Sequence, residues 1–135
     1  DQVLVSGVFS SGVPVSIHYR GGPSRDGEGL FWEIHGTEGD IRVWGSSGHT
    51  QMVQLSLSGA HGDEKKFRPL EVPDSYRSGW PKGTEPGNVA RVYAAMAQDL
   101  REGTRTAPSF EDAVALHRVI AAIERSAESG DRTTP

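Results

Sequence analysis

The stretch Leu30-Phe31-Trp32-Glu33-Ile34-His35-Gly36-Thr37-Glu38-Gly39-Asp40-Ile41-Arg42-Val43-Trp44 decides the fold. Leu30, Trp32 and Ile34 alternate with Phe31, Glu33 and His35, the period of two that a β-strand requires. Gly36-Thr37-Glu38-Gly39 reads as a tight turn, and Asp40 to Trp44 returns as the partner strand.

Upstream the same period recurs. Gln2 to Phe9 is a β-rich run closed by Ser10-Ser11-Gly12. Val13, Val15, Ile17 and Tyr19 then alternate with Pro14, Ser16, His18 and Arg20, so the two runs form an antiparallel hairpin. Gly21 to Gly29 is a polar loop. Downstream, Val53, Leu55 and Leu57 predict a strand over Met52 to Leu57, and Ala60 to Lys66 a polar turn. Phe67 to Val72 is a weaker strand that Pro69 assigns to an edge. Pro73 to Pro86 is irregular.

The last third changes period. Val89, Val92, Tyr93, Met96 and Leu100 follow the three-and-four spacing of an amphipathic helix, with Asn88 as the expected N-cap and Gly103 as the stop. Ser109 and Asp112 open a second helix in a capping-box pattern, and Gly130 closes it. Its expected buried stripe is Ala113, Leu116, Ile120, Ile123 and Ala127. Strands followed by helices give an α+β domain over residues 1–130, an open, largely antiparallel sheet with helices packed on one face. Residues 131–135 are expected to form a loose tail.

The second face of that sheet is not plainly polar. It carries Leu4, Val8, Phe31 and Trp44 beside His18, Arg20, Glu33 and Arg42. Two readings stand: a sheet face with scattered exposed apolar groups, or a protein interface. The mixture favours the interface.

Composition narrows the function classes. The chain has 135 residues, a net charge of -4, and 14 Lys and Arg spread among 18 Asp and Glu. No basic stripe is available to neutralise a phosphate backbone, which argues against nucleic-acid binding. There is no cysteine, hence no disulfide, thiolate metal site or cysteine nucleophile, in keeping with a cytoplasmic setting. No apolar run reaches membrane-spanning length. The abrupt opening at Asp1 into Val3-Leu4-Val5 leads us to expect preceding residues.

Signatures of chemistry are sparse. GxGxxG, Walker, HExxH and GxSxG patterns are absent. His18 and His35 can meet Glu33 in a metal or acid–base site only if pairing register allows; two surface histidines sharing no ligand is the preferred reading. His117 borders the apolar stripe of the last helix and reads as a packing residue. Glu111 and Asp112 complement a helix dipole. Arg20, beside Gly21-Gly22, reads either as a solvated strand end or as a partner for a substrate carboxylate or phosphate. Trp80, in the long connection, is the aromatic best placed to touch a ligand.

The order of motifs is familiar. Val15-Ser16-Ile17-His18-Tyr19-Arg20-Gly21-Gly22 precedes Ile34-His35-Gly36-Thr37-Glu38-Gly39-Asp40-Ile41, followed by Asn88-Val89-Ala90-Arg91 and then Phe110-Glu111-Asp112-Ala113-Val114 with His117. This resembles the C-terminal domain of the glucose–fructose oxidoreductase/inositol dehydrogenase (Gfo/Idh/MocA) family, and is similar to the branch with the fungal galactose regulatory protein. The resemblance implies an N-terminal Rossmann domain holding NAD or NADP, with a Lys-Pro motif supplying the catalytic lysine. None of these has a counterpart here, so it assigns this chain no catalytic, cofactor or metal residue. It implies a sheet that shapes a sugar, inositol or polyol pocket, for which His18, Arg20 and Trp80 are the candidate substrate contacts that the residues themselves offer. It also implies a homodimer through the open sheet face of Leu4, Val8, Phe31 and Trp44, packing against the chain's own Rossmann domain, and no turnover by this chain alone. The competing implication is a ligand-sensing, protein-binding domain of an inactive member.

Overall fold

In a computed structural model, residues 2–25, 27–77 and 79–135 are described. Asp1 lies outside them. The fold is α+β, built from open antiparallel sheets followed by helices. The strands form two sheets: β1 (Gln2–Val8) with β2 (Pro14–Arg20), and β3 (Leu30–His35), β4 (Gly39–Gly45), β5 (Ser56–His61) and β6 (Arg68–Pro69) in that spatial order. Three helices follow: α1 (Asp74–Arg77), α2 (Thr84–Glu102) and α3 (Phe110–Ser129). The chain divides into two compact units, residues 1–22 with 94–135, and residues 23–93; the boundary falls inside α2.

In the larger sheet β4 is the organising strand. Trp32 pairs with Val43 and Ile34 with Ile41, which puts the apolar set of the β3–β4 hairpin on one side. Phe31 opposite Trp44, Glu33 opposite Arg42 and His35 opposite Asp40 occupy the other. Val43 is the most buried strand hydrophobe, at 9 % exposure. Two glycines on its side make room for it. A Cβ at Gly45 would stand 2.9 Å from Leu55 Cδ2, and one at Gly59 would stand 2.9 Å from Leu70 Cδ1. The bare backbone lets Leu55 and Leu70 lie against the sheet. β6 is a two-residue edge, as Pro69 requires.

The strand expected over Met52 to Leu57 pairs later, from Ser56 to His61. Burial still alternates as the sequence indicates, with Val53, Leu55 and Leu57 half-buried and Gln54 and Ser56 exposed. The pattern reported which side chains face inward. It did not report where the ladder begins, because Val53 and Leu55 pack beneath Gly45 before hydrogen bonding to β4 starts.

In the other unit, the β1–β2 hairpin pairs Val5 with Ile17 and Val3 with Tyr19 on one face, and Leu4 with His18 and Val8 with Pro14 on the other. Phe9 N–H to Val13 O (2.9 Å) and Gly12 N–H to Phe9 O (2.8 Å) close its turn.

Helix α2 starts four residues before the expected Asn88 cap. Pro86 sits in its first turn, where a missing N–H costs nothing. Helix α3 follows its sequence closely. Ser109 Oγ accepts from Asp112 N–H, and the Asp112 carboxylate accepts from Ser109 N–H at 2.8 Å. Gly130 closes it at φ 76°, the left-handed conformation that glycine adopts without strain. Residues 131–135, expected to be loose, return along α3: Ser126 Oγ donates to Asp131 O and Thr133 Oγ1 to Ala122 O, both at 2.7 Å. Ala122 is thereby among the most buried residues, while Leu116, Ile120, Leu100 and His117 stay exposed.

Asp99 organises the turn from α2 to α3. Its carboxylate accepts from the Thr106 and Ala107 N–H groups and from the Thr104 and Thr106 hydroxyls, at 2.7 to 2.9 Å. These bonds, the Ala107 amide foremost, hold its carboxyl far below the usual range. A lowered folded pKa contributes stability above the unfolded value of about 4, lost as pH falls below it. Asp99→Ala is therefore expected to release the Thr106 and Ala107 amides to fast hydrogen exchange at neutral pH. In the unsubstituted chain those amide NMR shifts should hold through pH 4 and move only in stronger acid.

Candidate functional site

Arg42 projects from β4 onto the face opposite Val43. Its Nε and Nη2 both donate to Glu33 Oε1, at 2.9 and 2.6 Å. Its guanidinium carbon lies 5.2 Å from the Phe31 ring centre and 4.3 Å from that of Phe67. The contact with Phe67 carries Arg42 across β5, where Ser58, its cross-strand partner, is buried to 6 %. Glu33, Arg42 and Phe67 thus make a row running across the strands from β3 to the start of β6. Pairs of this partly exposed kind contribute roughly 0.2–1 kcal/mol each, so the row is chiefly a shaped surface. Phe31 is 54 % exposed on it and Trp44 half-buried.

The hairpin presents a second candidate surface. Leu4 and Val8 share a face with His18 and Arg20, as the alternation indicates. Leu4 is 77 % exposed. His18 Nε2 lies 2.8 Å from Gln2 Oε1. A shallow hollow at the open end of the hairpin is lined by Gln2, Val3, Tyr19, Gly21 and Gly22.

Residues 1–45 match the family model of the Gal80p C-terminal domain (Gal80p_C-like). The match spans a third of the chain, 45 of 135 residues, and contains β1 to β4. Over that stretch the chain is similar to the Gal80p C-terminal domain, the branch that the motifs resemble. No curated protein matches the chain.

The expected interface residues fall within the Gal80p-like stretch, Leu4 and Val8 on the β1–β2 hairpin and Phe31 and Trp44 directly paired in the larger sheet. Of the expected substrate contacts, His18 and Arg20 share a face of β2, while Trp80 lies in the other unit. Trp80 is half-buried with the Arg91 guanidinium carbon 5.2 Å from its ring centre. Arg91 also donates to Tyr76 O at 3.0 Å and to Asn88 Oδ1 at 3.4 Å, and Asn88 Nδ2 donates to Gln51 O at 3.1 Å. Asn88 is thus a tie between α2 and residue 51 instead of a helix cap. Sequence reasoning missed this role for Asn88 and Arg91. The usable signal was their i, i+3 spacing, which sets both on one side of the helix.

The histidines find separate partners. His35 Nδ1 lies 3.0 Å from Asp40 Oδ1, and Glu33 is taken by Arg42. Among the described residues, no three His, Cys, Asp or Glu side chains are grouped to hold a metal ion. The glycines at 27 and 29 lead into strand β3, not into a helix whose N-terminal amides cradle a pyrophosphate. No described helix is long and apolar enough to cross a membrane.

The Arg91 contacts pin the connection between β6 and α2. Arg91→Lys keeps the charge but loses the planar stacking and the forked donors. It is expected to raise protease cleavage within residues 73–83 and to change Trp80 fluorescence, with little change in helix content by circular dichroism.

Proposed function

We propose that this chain is the substrate-side, oligomer-forming domain of a cytoplasmic NAD(P)-dependent oxidoreductase that acts on a sugar, inositol or related polyol. The observation that carries the reading is the Gal80p-like match over residues 1–45, joined to the motif order that continues through α3. The nicotinamide and the catalytic lysine belong to a preceding Rossmann domain, and the chain alone has no turnover. His18 and Arg20, side by side on one face of β2, supply donors suited to polyol hydroxyls; Trp80, in the other unit, is a separate candidate apolar surface for a sugar ring. The exposed apolar groups Phe31 and Leu4, with Val8 and half-buried Trp44, support a homodimer through the open sheet surfaces.

The same match favours a second reading, a ligand-sensing, protein-binding domain of a catalytically inactive member. The reading frame before residue 1 separates the two. A Rossmann unit with GxGxxG followed by a Lys-Pro motif marks the oxidoreductase. The same unit lacking the lysine marks the sensor, and a start codon with no such unit overturns both. The division of labour has a direct test on the 135-residue chain. NADH fluorescence should be unchanged by it, and a saturable enhancement would falsify the assignment of the cofactor to another domain.

A further inference from the structure

We infer that Arg42 is the anchor of the contact between two copies of this chain, a step that rests on the homodimer proposed above. The argument starts from charge. The face of β3 and β4 that carries Phe31 and Trp44 also carries two acids, one arginine and one histidine, and the acid and arginine beside Phe31 are matched within the face. Glu33 takes Arg42 through two hydrogen bonds, and Asp40 takes His35. In a two-fold contact each patch meets its own duplicate. A patch with surplus charge repels its duplicate, whereas one whose charges are cancelled internally does not. Around Phe31 and the Glu33–Arg42 pair the face offers no surplus charge to attract a strongly acidic or basic partner, and it suits a second copy of itself.

Arg42 is the residue prepared for burial there. Its side chain is 36 % exposed and that of Glu33 29 %, although Phe31 beside them is 54 % exposed. Part of the water around the guanidinium is already displaced by the Phe31 and Phe67 rings, and Nε and Nη2 already have an acceptor. A guanidinium held this way loses little rotamer freedom on association, and its Nη1 hydrogens and second Nη2 hydrogen remain for acceptors on the other copy. Arginine among aromatic rings is the residue chemistry that concentrates binding energy at interfaces. Glu33 acts as a positioning residue: it orients Arg42 and cancels the charge that would otherwise face the identical charge of the other copy.

Sedimentation equilibrium of the 135-residue chain over a range of concentration and salt tests this, with circular dichroism to confirm that each variant is folded. The unsubstituted chain should dimerise with little dependence on salt. Arg42→Lys, which keeps the charge but loses the double contact and the stacking, should weaken the dimer at least tenfold. Glu33→Gln should weaken it comparably and make it tighten as salt rises, because screening relieves the repulsion between the exposed arginines. The double substitution Glu33→Gln with Arg42→Gln should restore salt insensitivity without restoring affinity. A purely structural role for the pair would not produce that reversal. A dimer unaffected by Arg42→Lys and Glu33→Gln overturns the anchor and leaves the homodimer standing. A chain monomeric at every concentration overturns both.

Discussion

Arg42 and Val43 are neighbours on β4, and the pleat sends them to opposite sides of the sheet. Much of the larger sheet follows from that constraint. Val43 needs a floor free of side chains, which Gly45 and Gly59 provide by admitting Leu55 and Leu70 against the backbone. Arg42 needs an acceptor and an apolar bed, which Glu33, Phe31 and Phe67 provide on the other side. A shift of one residue in the β3–β4 register would exchange the two environments and bury a cation where a valine belongs. The register is therefore strongly specified, and the tight turn between His35 and Asp40 is held by Gly36 N–H donating to Gly39 O at 2.9 Å.

The helices obey a different economy. Their ends are settled by local chemistry: the Ser109–Asp112 box, the left-handed Gly130 and the Asp99 carboxylate that gathers the 104–107 turn. Their apolar stripes are not matched by burial. Leu100 is 87 % exposed and Phe110 90 %. Periodicity states which residues share a side of a helix, and covering that side requires a surface that periodicity does not describe. The strands show the same asymmetry, for Ile17 and Tyr19 lie on the shared apolar face of the hairpin and remain largely exposed.

For function, the molecule divides into surfaces more than into a reaction centre. The Gal80p-like stretch holds both sheet surfaces proposed for contact and both β2 residues proposed for substrate, while the Trp80–Arg91–Asn88 cluster lies beyond residue 45 and ties the long connection to α2. Ionisable side chains are engaged in pairs: His35 with Asp40, Glu33 with Arg42, Glu64 with Arg68. Such pairing orients these side chains on the surface.

The sequence alone determined the elements whose cause is local. The period of two placed β1 to β4 and their faces, so Phe31 with Trp44 and Leu4 with His18 were legible before any coordinates. The cap residues placed α3 from Ser109 to Gly130. Only the tertiary structure decided where β5 begins, because its start depends on Val53 and Leu55 packing under Gly45 of another strand. The same holds for the start of α2, the tie from Asn88 to residue 51 and the cover that Thr133 gives Ala122. It also decided which candidates share a site. His18, His35 and Glu33 looked alike in the sequence, but each found a different partner, since hydrogen bonds form between groups that folding brings within 3 Å, and sequence separation says nothing of that distance.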